Sequence, residues 1–324
     1  MIHADARRAA LEGWLAARFG APLDIAPASE DASFRRYWRV RDRDGASFVV
    51  MDAPPDKEDC RPFIRVAGML REAGVNAPQV FAQDLAQGFL LLSDLGTRTY
   101  LEALDASSAG ALFGDATDAL LRWQLATRAG ELPPYDEARR RREMNLFPEW
   151  YVERHLGKSL SREQRESLEG IFAVLVRSAL AQPAVYVHRD YMPRNLMVCE
   201  PNPGVLDFQD AVLGPVTYDA VSLFRDAFVS WDEALVVDLT VRYWEKAKRA
   251  GLPVEADFGE FWRAFEWMGL QRHLKVLGIF ARIHYRDGKP KYLADTPRFI
   301  AYARAACKRY AALAPLARLL DEIE

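Results

Sequence analysis

Cysteine is scarce in this 324-residue chain. Cys60, Cys199 and Cys307 stand far apart with no metal-type spacing, so they read as reduced, buried thiols of a cytoplasmic protein. Apolar runs long enough to span a bilayer are absent, and the first residues, with Asp5, Arg7 and Arg8 among small side chains, lack the apolar stretch of a signal peptide. Neither a membrane partner nor export is expected. A large excess of one charge is missing too: 43 lysines and arginines oppose 46 aspartates and glutamates, a formal charge of −3 that gives no footing for nucleic acid. The run Arg139–Arg142 reads as a solvated helix face. No internal repeat or low-complexity stretch is evident, and nothing marks an obligate protein partner.

The most informative stretch that is present runs Val187-His188-Arg189-Asp190-Tyr191-Met192-Pro193-Arg194-Asn195, followed by Val205-Leu206-Asp207-Phe208. The spacing H-x-D-x-x-x-x-N, with a second carboxylate at the end of the next apolar strand, is that of kinase chemistry. Asp190 is the expected base for a substrate hydroxyl. Asn195 and Asp207 are the expected metal ligands, offering the hard oxygens that Mg²⁺ prefers. ATP and Mg²⁺ are therefore the implied cofactors. His188 reads as a brace for the loop backbone, whereas Arg189 and Arg194 have two roles open to them, contact with phosphate or acidic substrate and local ion pairing.

Hydrophobic periodicity supplies the architecture. Ala9, Leu11, Trp14, Leu15 and Phe19 mark an amphipathic helix stopping at Gly20, and strands around Phe34–Val40 and Ser47–Met51 flank the turn Arg43-Asp44-Gly45. A helix over Arg61–Ala73 stops at Gly74, and short strands follow near Gln79–Ala82 and Phe89–Leu92. Helical patterns dominate after Gly96, one of them opened by the capping box Ser161-x-x-Gln164. The expected fold is α+β and bilobal, protein-kinase-like, with a small antiparallel-sheet lobe over residues 1–93 for nucleotide and a larger, mostly helical lobe over 94–324.

Two segments of the first lobe are candidates for nucleotide contact. Phe89–Gly96 runs from a buried strand into a turn, so Leu92, Ser93 and Leu95 could form either a hinge that bonds an adenine edge or an ordinary strand end. Asp31–Val40 stands where kinases carry a phosphate-covering loop but contains no glycine. Ser33 and Phe34 are its candidate backbone contacts. Arg36 shares a face with Phe34, Trp38 and Val40, where an unpaired charge would cost on the order of 3 kcal/mol or more. Its partner must be phosphate or a buried carboxylate.

With Asp207-Phe208-Gln209-Asp210, Gly214-Pro215 and Tyr218-Asp219-Ala220-Val221-Ser222-Leu223, the chain resembles the aminoglycoside phosphotransferase/choline kinase group of small-molecule kinases. Within it, Asp31–Arg39, Met51–Pro55, Gln83–Leu85, His188–Met197, Asp207–Asp226 and Gln271–Gly278 are most similar to the anomeric amino-sugar kinases of cell-wall recycling. That resemblance implies ATP-dependent phosphorylation of the C1 hydroxyl of N-acetylmuramate and N-acetylglucosamine, with Glu149 and Asp210 as sugar contacts near Asp190.

One departure from the wider group matters. Kinases commonly hold the α- and β-phosphates with a strand lysine paired to a glutamate on the next helix, but here Met51 stands near the lysine position and Phe63 and Ile64 near the glutamate. Replacing both partners by apolar groups can be nearly neutral, whereas losing one strands a charge. Arg36 and Lys57 are the cations expected to compensate. The short interval from Asp207 to Tyr218 leaves no room for a phosphorylatable activation segment, which disfavours a protein substrate. The basic stretch from Arg272 to Arg298 is either solvated surface or a cleft lining; in a cleft, Arg272 or Arg282 would clamp the lactyl carboxylate of N-acetylmuramate. The other readings are a kinase of an amino alcohol or aminoglycoside, and a pseudokinase-like binding module.

Overall fold

The computed structural model describes residues 2–21, 23–29 and 34–323, so the expected contact Ser33 lies outside the described residues. In chain order the elements are α1 (Ile2–Phe19), β1 (Ile25–Ser29), β2 (Arg36–Arg41), β3 (Ser47–Asp52), α2 (Arg61–Glu72), β4 (Val80–Asp84), β5 (Phe89–Ser93), α3 (Tyr100–Ala103), α4 (Ala109–Leu125) and α5 (Glu137–Met144). After a π-helix (Phe147–His155) come α6 (Arg162–Ala181), β6 (Ala184–Val187), β7 (Leu196–Met197), β8 (Gly204–Val205), β9 (Val212–Pro215), α7 (Tyr218–Phe224), α8 (Glu233–Arg249), α9 (Phe258–Asp287), α10 (Thr296–Arg309) and α11 (Ala314–Ile323). The chain forms two compact units, Met1–Leu104 with Arg194–Asp210 and Asp105–Pro193 with Ala211–Glu324.

The first unit is built on an antiparallel sheet in the order β1-β2-β3-β5-β4. Alternation along β2 and β3 sends Val40 and Val50 to one face, where Leu11, Trp14 and Leu15 of α1 cover them together with Phe89 and Leu91. Each such fully buried side chain contributes roughly 1.5–3 kcal/mol. Left-handed Gly20 and Gly74 (φ +69° and +74°) follow α1 and α2, a conformation that costs glycine nothing. Strand β1 escaped the sequence reading because Pro27 breaks its pattern at a register shift. The β7-β8 hairpin belongs to this unit: the Val205 N–H donates to the Asn76 carbonyl at 2.7 Å and the Val198 N–H to the Arg98 carbonyl at 2.9 Å. These bonds draw residues 94–104 and 194–210 into the sheet's unit.

The second unit is helical apart from the β6-β9 ladder. Its spine is α9, buried on every side from Met268 to Gly278 and packed against α6, α10 and the π-helix. The capping box of α6 is present, with the Gln164 N–H donating to Ser161 Oγ at 3.1 Å and the Ser161 N–H to Gln164 Oε1 at 2.8 Å. The arginine run is not wholly solvated. Arg140 is 1 % exposed, lies over the Tyr135 ring, and donates through Nε to the Tyr135 carbonyl at 3.0 Å. A charge run says nothing about which of its members turns inward.

Candidate active site

The cavity face of the sheet is set by strand parity. Tyr37 and Arg39 of β2 and Val49 of β3 line a cavity of about 260 Å³ with Phe63, Leu92, Met197 and Leu206, while Arg194, Asn195 and Asp207 also line it. Leu92, Ser93 and Leu95 are wall residues as well, so the expected hinge does border a cavity. Its bend has a physical cause that the sequence reading missed. Asp94 accepts from Arg39 at 2.6 and 3.0 Å, from Ser47 Oγ at 2.6 Å and from the Gly96 N–H at 3.0 Å. Burial pushes this carboxyl up, but the bonds from Arg39, Ser47 and Gly96 outweigh it and hold it below the usual range.

Asn195 and Asp207 come together in this unit, with Asn195 Nδ2 3.4 Å from Asp207 Oδ2. The Leu206 N–H donates to the Asn195 carbonyl at 2.9 Å, tying the two ends of the hairpin. Asp207 has φ +61°, an uncommon conformation for a side-chain-bearing residue, and its Oδ1 accepts from Gln209 Nε2 at 2.8 Å. An amide and a carboxylate in a cavity that also carries aliphatic side chains fit a magnesium-bound nucleotide: hard oxygens for the ion, aliphatic surface for a base. Phe63 and Phe208 meet at 4.8 Å between centroids, so an aromatic contact joins α2 to the residue after Asp207, with Met51 buried on the cavity side of β3. Met51 and Phe63, which stand near the expected lysine and glutamate positions, are both buried.

Arg36 corrects one expectation. Its Nη2 donates to Asp52 Oδ2 at 2.6 Å, and Arg7 of α1 binds Oδ1 of the same carboxylate through Nε at 2.9 Å. Asp52 is 1 % exposed. Being out of phase with Tyr37 and Arg39, Arg36 points to the α1 side of the sheet and takes a buried carboxylate as partner. Lys57 is exposed beside Asp56, and Phe34 is 64 % exposed just ahead of β2.

The loop that carries Asp190 belongs to the second unit as far as Pro193. Both oxygens of buried Asp219, in α7, accept backbone bonds from it, from the His188 N–H at 2.6 Å and the Arg189 N–H at 3.0 Å. Arg189 itself has φ +79°, which for a non-glycine residue costs roughly 1–2 kcal/mol, and this clamp offsets it. Burial raises the Asp219 carboxyl to about 7, the two N–H bonds offsetting it only in part. His188 braces the loop as expected, its Nδ1 accepting the Asp190 N–H at 3.2 Å. Of Arg189's two open roles the ion pair holds: Nη2 donates to Glu143 Oε1 at 2.6 Å. Lys275 Nζ lies 3.1 Å from Glu143 Oε2, to which the Tyr135 hydroxyl also donates. Burial pushes Glu143 up, but Lys275 and Arg189 outweigh it and hold the carboxyl down. Asp190 is thus carried on a backbone anchored one residue before it by two carboxylates.

The expected sugar contacts divide. Arg272 is 3 % exposed, within electrostatic reach of Asp219 and Asp226 in the interior. Arg282 is half-buried on α9, and Glu149 and Asp210 are exposed. The aromatic residues around Glu149 are packing: Phe147 and Tyr151 stack at 5.7 Å inside the helical core. Arg194 lines the nucleotide-sized cavity.

Comparison with known proteins agrees with this geometry. A model described as the phosphotransferase enzyme family matches residues 24–257. The chain belongs to that family. It is 58 % identical over 302 residues, 93 % of this chain and 89 % of the relative, to an N-acetylmuramate/N-acetylglucosamine kinase of Pseudomonas aeruginosa. It is 50 % identical to a protein of the same name from Neisseria meningitidis serogroup B, over 98 % of this chain and 96 % of that one. The crystal structure of aminoglycoside phosphotransferase APH(2'')-Ib with ADP bound superposes with a TM-score of 0.58 over 90 % of this chain and 96 % of that one, at 16 % identity, which establishes the fold. The phosphotransferase fold is thus α+β and protein-kinase-like, and the chain is an enzyme of phosphoryl transfer.

Proposed function

We propose that this phosphotransferase uses ATP and Mg²⁺ to phosphorylate N-acetylmuramate and N-acetylglucosamine at the anomeric hydroxyl, giving α-1-phosphates for cell-wall recycling in the cytoplasm. The observation that carries the kinase chemistry is Asn195 beside Asp207 in the cavity lining, with Asp190 five residues before Asn195 on a clamped loop. The substrate class rests on the names of the relatives sharing half or more of the residues. Magnesium, when bound, would neutralise the phosphate oxygens. Asp190 accepts the hydroxyl proton, Leu92, Ser93 and Leu95 border the base, and Arg194 lies along the phosphate end. Residues 1–93 supply part of the nucleotide site and 94–324 the rest of it, with the catalytic loop, metal ligands and sugar contacts, among them Arg282, Glu149 and Asp210. No helix of the described residues is long and apolar enough to cross a membrane.

The test is a coupled ATPase assay over N-acetylmuramate, N-acetylglucosamine, choline and kanamycin, with Asp190→Asn as control and NMR of the product. Turnover with the two amino sugars, phosphorus coupled to the anomeric proton, and a loss of 10²-fold or more in Asp190→Asn are expected. Turnover confined to choline or kanamycin would overturn the sugar reading, and nucleotide binding without any turnover would favour a binding module.

A further inference from the structure

The cavity needs positive charge beside Asp207, and the usual source is gone, since Met51 replaces the strand lysine and Phe63 the helix glutamate. The cations expected to compensate are elsewhere: Arg36 is on Asp52 at the other face, and Lys57 is exposed. Two other cations line the cavity: Arg39, committed to Asp94 and the Gly96 carbonyl, and Arg194, next to Asn195 in the chain.

Arg35 was not singled out by its sequence, yet it stands just before β2, two residues ahead of Tyr37 and four ahead of Arg39, which line the cavity. Its side chain is only 12 % exposed, interacts with the Tyr37 side chain, and lies with Nε 3.5 Å from Glu58 Oε2. Glu58 sits in the loop just before α2, whereas the usual glutamate is on the helix itself. Burial lowers the affinity of Arg35 for its proton, but Tyr37, Glu58 and Asp207 together raise it, so the guanidinium is within electrostatic reach of the metal-site carboxylate. Guanidinium suits this place better than ammonium would, because its planar fork can bind phosphate oxygens in pairs while another edge keeps its carboxylate.

We propose that Arg35, held by Glu58 and Tyr37, binds the nucleotide's phosphates beside Asp207, so that the missing lysine–glutamate pair is rebuilt as an arginine–glutamate pair from the approaches to β2 and α2. Arg35 is the phosphate ligand and Glu58 its positioning residue. This rests on the nucleotide reading above, and the experiment separates the two.

Calorimetric titration of wild type, Arg35→Ala, Arg35→Gln and Glu58→Gln with MgATP and, separately, adenosine distinguishes a phosphate contact from general damage. Loss of a charge-assisted bidentate contact should weaken MgATP binding by about tenfold or more in both Arg35 variants, with a smaller loss in Glu58→Gln and adenosine affinity within about twofold throughout. Arg35→Gln keeps the length of the side chain if the alanine variant fails to fold. The role is overturned if the folded Arg35 variants bind MgATP as wild type does, or if they lose adenosine in the same proportion. Wild type that binds neither ligand would instead remove the nucleotide reading, and this role with it.

Discussion

Arg36→Ala separates stability from nucleotide handling. Asp52, 1 % exposed, holds Arg7 on one oxygen and Arg36 on the other. Hydrogen bonds to a charged group contribute about 1.5–3 kcal/mol when shielded, but the Arg36 side chain is 36 % exposed, so solvent screening lowers its share to about 1–2 kcal/mol. Arg7 remains on the carboxylate, which keeps the cost well below the roughly 3–5 kcal/mol of a fully broken buried pair. For a chain of this size the melting temperature should fall by about 2–4 °C, seen by differential scanning calorimetry. Asp52→Ala should fall further, because it leaves two cations without their carboxylate, and the double variant should lose less than the sum. Meanwhile KM for ATP in Arg36→Ala should stay within about twofold of wild type. A tenfold rise in KM with an unchanged melting temperature would refute the assignment and return Arg36 to the phosphates.

Two glycines of α9 should respond in opposite directions to alanine. A Cβ on Gly278 would stand 2.3 Å from the carbonyl carbon and oxygen of Leu146, backbone that cannot rotate away, so overpacking of about 1–3 kcal/mol or more exceeds the helix-propensity gain of about 1 kcal/mol and Gly278→Ala should melt lower. On Gly269 the nearest atom would be Val221 Cγ1 at an ordinary 3.5 Å, and Gly269→Ala should melt higher; equal shifts would discredit the argument. Asp219 supplies a pH signature. Its folded pKa, about 7, lies above the ordinary 3.8, so the folded state holds a proton that the unfolded state has lost between those values, and this group's contribution to stability falls as pH rises from about 4 to 7. Asp219→Asn should flatten that part of the pH–stability curve measured by urea melts, while also loosening the clamp on His188 and Arg189 and lowering turnover; an unchanged slope would count against the raised pKa.

The helices with a single clear stripe were legible before any coordinates, α1 and α2 with their terminal glycines and α6 with its capping box, because local periodicity and local caps decide such elements. Asn195 and Asp207 were expected together from their spacing, and the structure brings them to one cavity. Strand β1 was not legible, since a short edge strand with a proline carries little pattern. Charged residues were the least legible. Arg272 looked like a ligand and lies in the core, Arg140 looked solvated and is buried, and Arg36 looked available to phosphate and is bound to Asp52.

The sequence by itself determined the reaction class, through three spaced residues, and the order of the elements that carry them. Only the tertiary structure decided which cations serve which carboxylates: Arg36 and Arg7 on Asp52, Arg39 on Asp94, Arg189 and Lys275 on Glu143, Arg35 beside Glu58. The physical reason is that a guanidinium reaches far from its Cα and pairs across many residues of sequence. Its partner is therefore set by strand parity and packing, which a one-dimensional spacing does not record.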